Sequence, residues 1–64
     1  MELSISKYIL AVITQDPGLV QGGGTPVFIA RDLAEQDRIA MYLSRITEGV
    51  VHDLENGLYI LVKH

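Results

Sequence analysis

Residues 50–63 read Val50-Val51-His52-Asp53-Leu54-Glu55-Asn56-Gly57-Leu58-Tyr59-Ile60-Leu61-Val62-Lys63. Asn56-Gly57 lies between two runs of strand-favouring residues. Asn-Gly is the strongest short-range hairpin signal, because both residues tolerate positive φ. Folding about a two-residue turn pairs Glu55 with Leu58, Asp53 with Ile60 and Val51 with Val62 on one face. The other face then pairs Leu54 with Tyr59, His52 with Leu61 and Val50 with Lys63. The second arm is apolar on both faces and reads as a central strand. The first arm, with His52, Asp53 and Glu55, reads as an edge whose charges discourage sheet-to-sheet aggregation.

Before this hairpin the periodicity is helical. Asp32 is an N-cap residue type, and Glu35 three positions on completes a capping-box pattern. Leu33, Ile39, Ala40, Leu43 and Ile46 gather on one side of the wheel. Met41, Tyr42 and most of the charged residues lie off that stripe. Gly49 is placed to end the helix in the left-handed region after Glu48. A short strand, 27–30, follows Pro26 and belongs at the periphery of a sheet.

Residues 15–26 hold four of the six glycines and both prolines. Twelve residues is long for a hairpin connection, and such loops are often functional or disordered. Leu19 and Val20 either tuck beneath this loop or meet a partner. Residues 5–14 form the first strand, with Lys7, Ile9, Ala11 and Ile13 on one face and Tyr8, Leu10, Val12 and Thr14 on the other. Both faces are largely apolar, which places the strand inside the sheet.

The order is therefore ββαββ: a single α+β domain over 1–64, with one helix on a four-stranded sheet. Strands 1 and 4 inside give the order 2-1-4-3; 2-1-3-4 is the rival.

One helix covers one face, yet both faces of the central strands are apolar. The set left open is Tyr8, Leu10, Val12, Leu54, Tyr59 and Leu61, or its complement. Several such side chains exceed the apolar patch a monomer usually leaves to water. A chain of 64 residues also hides only about 60% of its unfolded surface, so small domains commonly need reinforcement. It has no cysteine, which removes disulfides and thiolate zinc sites. Association through the sheet face is the consequence, as a homodimer or with another protein. The alternative cover is the 15–26 loop itself, with Leu19 and Val20 as its plug.

Composition narrows the function classes. At 48% hydrophobic and 20% charged, the chain folds rather than staying disordered. Its net charge of −3, with scattered basic residues, disfavours nucleic-acid binding. The apolar run 8–13 is too short to span a bilayer, which needs about 20 residues, so no membrane role is expected. The N-terminus lacks the pattern of a secretory signal, and the cytoplasm is the expected compartment.

Catalytic signatures are missing. Gly22-Gly23-Gly24-Thr25 resembles a phosphate cradle, but Pro26 and a strand intervene before any helix and no lysine follows. A weaker form survives, in which this loop and Arg31 frame a small anionic ligand; pairing of Arg31 with Glu35 is the competing use. His52 and Asp53 are neighbours on a strand and point to opposite faces, so they form no dyad. A metal shared across a dimer by His52, His64, Asp53 or Glu55 has no further support, and no cofactor is expected. No familiar family signature is matched. The residues point to a non-catalytic binding or regulatory module acting through its sheet face. An effector module for an anionic metabolite and an accessory subunit of a larger enzyme complex are the alternatives.

Overall fold

The computed structural model of the chain describes residues 9–20 and 24–63. Its elements are β1 (Ile9–Thr14), a 3-10 turn (Pro17–Leu19), β2 (Val27–Ile29), α1 (Leu33–Thr47), β3 (Val50–Asp53) and β4 (Leu58–Val62). The sheet order is β2-β1-β4-β3, as expected, and α1 packs on one face. β2 runs parallel to β1, whereas β1/β4 and β3/β4 are antiparallel. That parallel pairing explains the twelve-residue connection. A parallel neighbour cannot be reached by a tight turn, so the chain must travel back along β1 before β2 begins.

Asp32 caps α1, its carboxylate accepting the Glu35 amide at 2.8 Å. The reciprocal half of the capping box is displaced by one residue. Glu35 Oε1 accepts the Arg31 amide at 3.0 Å, while Oε2 accepts from the Arg31 guanidinium at 2.8 and 3.1 Å. The helix ends differently from the sequence reading. Glu48, at φ 59°, is the left-handed residue. Gly49 is needed for closeness instead, since a Cβ there would lie 2.9 Å from the Val62 carbonyl oxygen and 3.1 Å from Leu61 Cδ1.

The core forms where α1 meets β1 and β4. Ala11, Ile13, Ala40 and Leu61 are buried together, and Leu10, Ile39, Leu43, Val51 and Tyr59 pack around them. Alanine on both the helix and the sheet lets the two approach closely, and Leu61, at 0% exposure, fills the space between. The buried stripe of α1 includes Gln36, Ile39, Ala40 and Leu43; Leu33 and Ile46, expected on that stripe, are exposed.

Gln36 is the unexpected core residue. Its amide nitrogen donates to the Ile13 carbonyl at 2.9 Å and the Gly57 carbonyl at 3.1 Å, and its oxygen accepts from Gln15 Nε2 at 3.0 Å. Thr14 joins the same knot: its hydroxyl lies 3.2 Å from both the Gly57 and Asp16 carbonyl oxygens and accepts the Asp16 amide. Buried polar groups persist only when partnered, and here they tie the end of β1, the start of α1 and the hairpin turn into one joint.

That joint coincides with a correction to the hairpin. The Leu54 amide donates to the Leu58 carbonyl at 3.0 Å, leaving a three-residue loop, Glu55-Asn56-Gly57, instead of a two-residue turn. Positive φ falls at Glu55 and Gly57. The observed pairs are Val50–Val62, Val51–Leu61, His52–Ile60 and Asp53–Tyr59, one residue away from the expected register. A slip of one residue exchanges the faces of one strand relative to its partner. A second irregularity lies in β1, where Ile9 pairs with Val62 but Ala11 with Leu61. Leu10 is the extra residue of a bulge and packs against the core, breaking the expected alternation.

Candidate protein-binding face

With Ala11, Ile13, Tyr59 and Leu61 turned to the helix side, alternation places their neighbours on the opposite face. The registers arrange these neighbours in three rows across the sheet. One row is Ile29, Thr14, Leu58 and Leu54; the next is Val27, Val12, Ile60 and His52; the third is Ile9, Val62 and Val50. Only Thr14 and His52 are not apolar, and Thr14 is fully buried in the polar joint. No described helix lies over this face. Val12 is buried and Leu58, Ile60 and Val62 are half-buried, while Val27, Ile29, Val50 and Leu54 are exposed.

The structure distributes the expected interface residues between both faces. Val12 and Leu54 are on the open face. Leu10, Tyr59 and Leu61 lie on the helix side, Leu61 without any exposed surface. Tyr8 falls outside the described residues. The complementary residues that the corrected register brings forward are Leu58, Ile60 and Val62. They belong to the complementary set of the sequence reading, and the three-residue loop carries Leu54 onto their face. Leu19 approaches the hairpin turn, with its Cδ1 3.6 Å from where a Cβ of Gly57 would stand.

Polar chemistry is sparse. Arg31 is held by Glu35, with Arg38 3.9 Å from the same carboxylate. The Arg31 hydrogen bonds lower the Glu35 pKa, and the same partner raises that of Arg31. An anion at Arg31 would therefore compete with an existing ion pair. Gly24 adopts φ 97°, and Thr25 lies half-buried; Gly22 and Gly23 are outside the described residues. Among the described residues there is no enclosed pocket and no group of three side chains placed to hold a metal. His52 and Asp53 point to opposite faces, as expected of strand neighbours.

On the helix side the Tyr59 hydroxyl donates to the Asp37 carboxylate. That hydrogen bond, with burial and the charges of Asp37 and Asp53, raises the Tyr59 pKa to about 12. A phenol whose pKa rises on folding keeps its proton while the unfolded chain, at about 10, begins to lose it. The stabilisation is complete below pH 10 and is lost as pH climbs from about 10 to about 12. Thermal unfolding of the native chain is thus expected to fall more steeply across that window than that of Tyr59→Phe. Parallel curves would show that the hydrogen bond does not persist in solution.

A single helix thus packs on one face of a small mixed sheet, and among the described residues no pocket is enclosed. The chain belongs to the family described as the capping complex subunit for YIEGIA, whose model matches residues 6–64. It is 39% identical over 64 residues to "Uncharacterized protein YpzH" of Bacillus subtilis (strain 168), covering 100% of this chain and 98% of that relative. No solved structure matches. Among the described residues no helix is long and apolar enough to cross a membrane.

Proposed function

We propose that this chain is a non-catalytic accessory subunit that binds protein through the open face of its sheet, within the capping complex its family description names. The observation that carries this is the row Val27, Val12, Ile60, His52 and its two neighbouring rows: an apolar floor with no described helix on it. Burying one large aliphatic side chain contributes about 1.5–3 kcal/mol, and several together work against the about 4–15 kcal/mol that association costs. The family's description supplies the partner class, the protein named YIEGIA or a further subunit of the same complex.

The test is co-purification of the tagged chain with the YIEGIA protein of the same cell, comparing the native sequence with Ile60→Asp. A carboxylate at position 60 faces the centre of the open floor and leaves the core beneath α1 in place. Retention of the circular dichroism spectrum with binding weakened at least about tenfold, the cost of about 1.4 kcal/mol, is expected. Undiminished binding by the folded variant would remove the open face from the interface.

A further inference from the structure

The chain holds a single asparagine, Asn56, and a glycine follows it in the exposed hairpin loop. An asparagine side chain places its amide carbon where the next main-chain nitrogen can close a small ring on it. Two things ordinarily oppose that closure: a side chain crowding the nitrogen, and a hydrogen bond that holds the nitrogen elsewhere. Neither operates at Gly57. Even a Cβ added there would meet, among the described residues, only Leu19 Cδ1 at 3.6 Å. The Gly57 amide also has no hydrogen-bond partner among the described residues.

The next peptide unit, by contrast, is pinned at both ends. The Gly57 carbonyl accepts from Gln36 Nε2 at 3.1 Å and from the Thr14 hydroxyl at 3.2 Å. Across the same plane the Leu58 amide donates to Asn56 Oδ1 at 3.2 Å. That oxygen is the one that becomes negative when a nucleophile adds to Asn56 Cγ. A fixed amide donor aimed at such an oxygen is the arrangement that stabilises a tetrahedral intermediate.

We propose that Asn56 is a site of spontaneous deamidation in the folded chain, with the Gly57 amide as nucleophile and the Leu58 amide as donor to the oxyanion. Water takes the Gly57 amide proton as the nitrogen bonds Asn56 Cγ. The tetrahedral carbon then expels Nδ2, which leaves as ammonia with a proton from water. Water opens the resulting cyclic imide at one of its two carbonyls. Opening at Cγ leaves an aspartate on an unchanged main chain. Opening at the main-chain carbonyl leaves an isoaspartate, whose chain runs through the former side chain. Atoms balance with water as the sole co-reactant.

Both products make the net charge one unit more negative than −3. They differ in what they do to the fold. The aspartate keeps an oxygen for the Leu58 amide. The isoaspartate puts one more carbon into the main chain between Glu55 and Gly57, so the Gly57 carbonyl no longer sits against both Gln36 and Thr14. The polar joint opens, and Leu54 and Leu58, whose hydrogen bond closes the loop, lose their fixed place on the open face. An effect on partner binding rests on the proposed function; the modification itself does not.

The isolated chain, held at mildly alkaline pH, tests this when followed folded in buffer and unfolded in urea. Trypsin releases residues 46–63, and mass spectrometry of that peptide reads the exchange of an amide for an acid. A route through global unfolding would be slowed by the unfolded fraction, about 10⁻³ or less. The folded rate should instead lie within about a hundredfold of the unfolded rate, and a lower folded rate would overturn the proposal. Asn56→Gln, whose side chain would have to close a larger ring, should stay unmodified; a gain equal to that of the native chain would place the chemistry elsewhere. Asn56→Asp should keep the Leu54 and Leu58 amides protected from exchange, while the separated isoaspartyl fraction should lose that protection. Protected amides in the isoaspartyl fraction would overturn the opening of the joint. None of these measurements uses the YIEGIA protein, so a failed co-purification would remove the proposed function and leave the modification standing.

Discussion

Leu61→Ala should remove about 2–5 kcal/mol of stability, a large share of what a domain of this size has. Leu61 has no exposed surface, and three of its closest core companions are Ala11, Ile13 and Ala40. Alanines cannot lean into the space a lost isobutyl group leaves, so the cavity stays open. Leucine-to-alanine changes at such sites cost about 2–5 kcal/mol. At about 0.05–0.15 kcal/mol per residue, a domain of this length has roughly 3–10 kcal/mol in total. Urea unfolding followed by circular dichroism reads the loss; a shift below about 1 kcal/mol would place the core elsewhere.

Gln36→Leu is the second large effect, and it runs against intuition because it makes a buried position more hydrophobic. The substituted side chain fits, but the Ile13 and Gly57 carbonyls lose a donor and Gln15 loses its acceptor. Stranding buried partners costs about 1–3 kcal/mol. The damage should be local as well as global, because Gly57 sits in the hairpin loop that sets the β3–β4 register. Amide exchange is expected to accelerate at Leu54 and Leu58 before the rest of the sheet responds. A variant as stable as the native chain, with those amides still protected, would show that the joint is incidental.

Much of this architecture was legible in the residues. The hairpin, the Asp32 cap, the Arg31–Glu35 pair and the order 2-1-4-3 follow from local chemistry and from which strands are apolar on both sides. Three features were not. The hairpin loop is one residue longer than Asn56-Gly57 alone implies, and Gly57 is held there by Gln36 and Thr14 from elsewhere in the chain. The bulge at Leu10 depends on pairing with β4 and leaves no mark in the sequence of β1. Gln36 sits where the wheel offers Leu33 and Ile46 as core candidates; only the carbonyls it serves explain its burial. Each involves a distant partner, and the loop, the bulge and the β1–β4 register, which pairs Val12 with Ile60, together explain why the expected interface set mixed both sides of the sheet.

The helix offers the competing surface, since Leu33, Met41, Tyr42 and Ile46 are all exposed, Ile46 by 77%. Methyl resonances of isoleucine, leucine and valine, followed while the YIEGIA protein is added, separate the two. Binding through the sheet should shift or broaden Val27, Ile29, Leu58, Ile60 and Val62 and spare Leu33 and Ile46. Perturbation centred on Leu33 and Ile46, with the Ile60 methyls unmoved, would contradict binding through the open face.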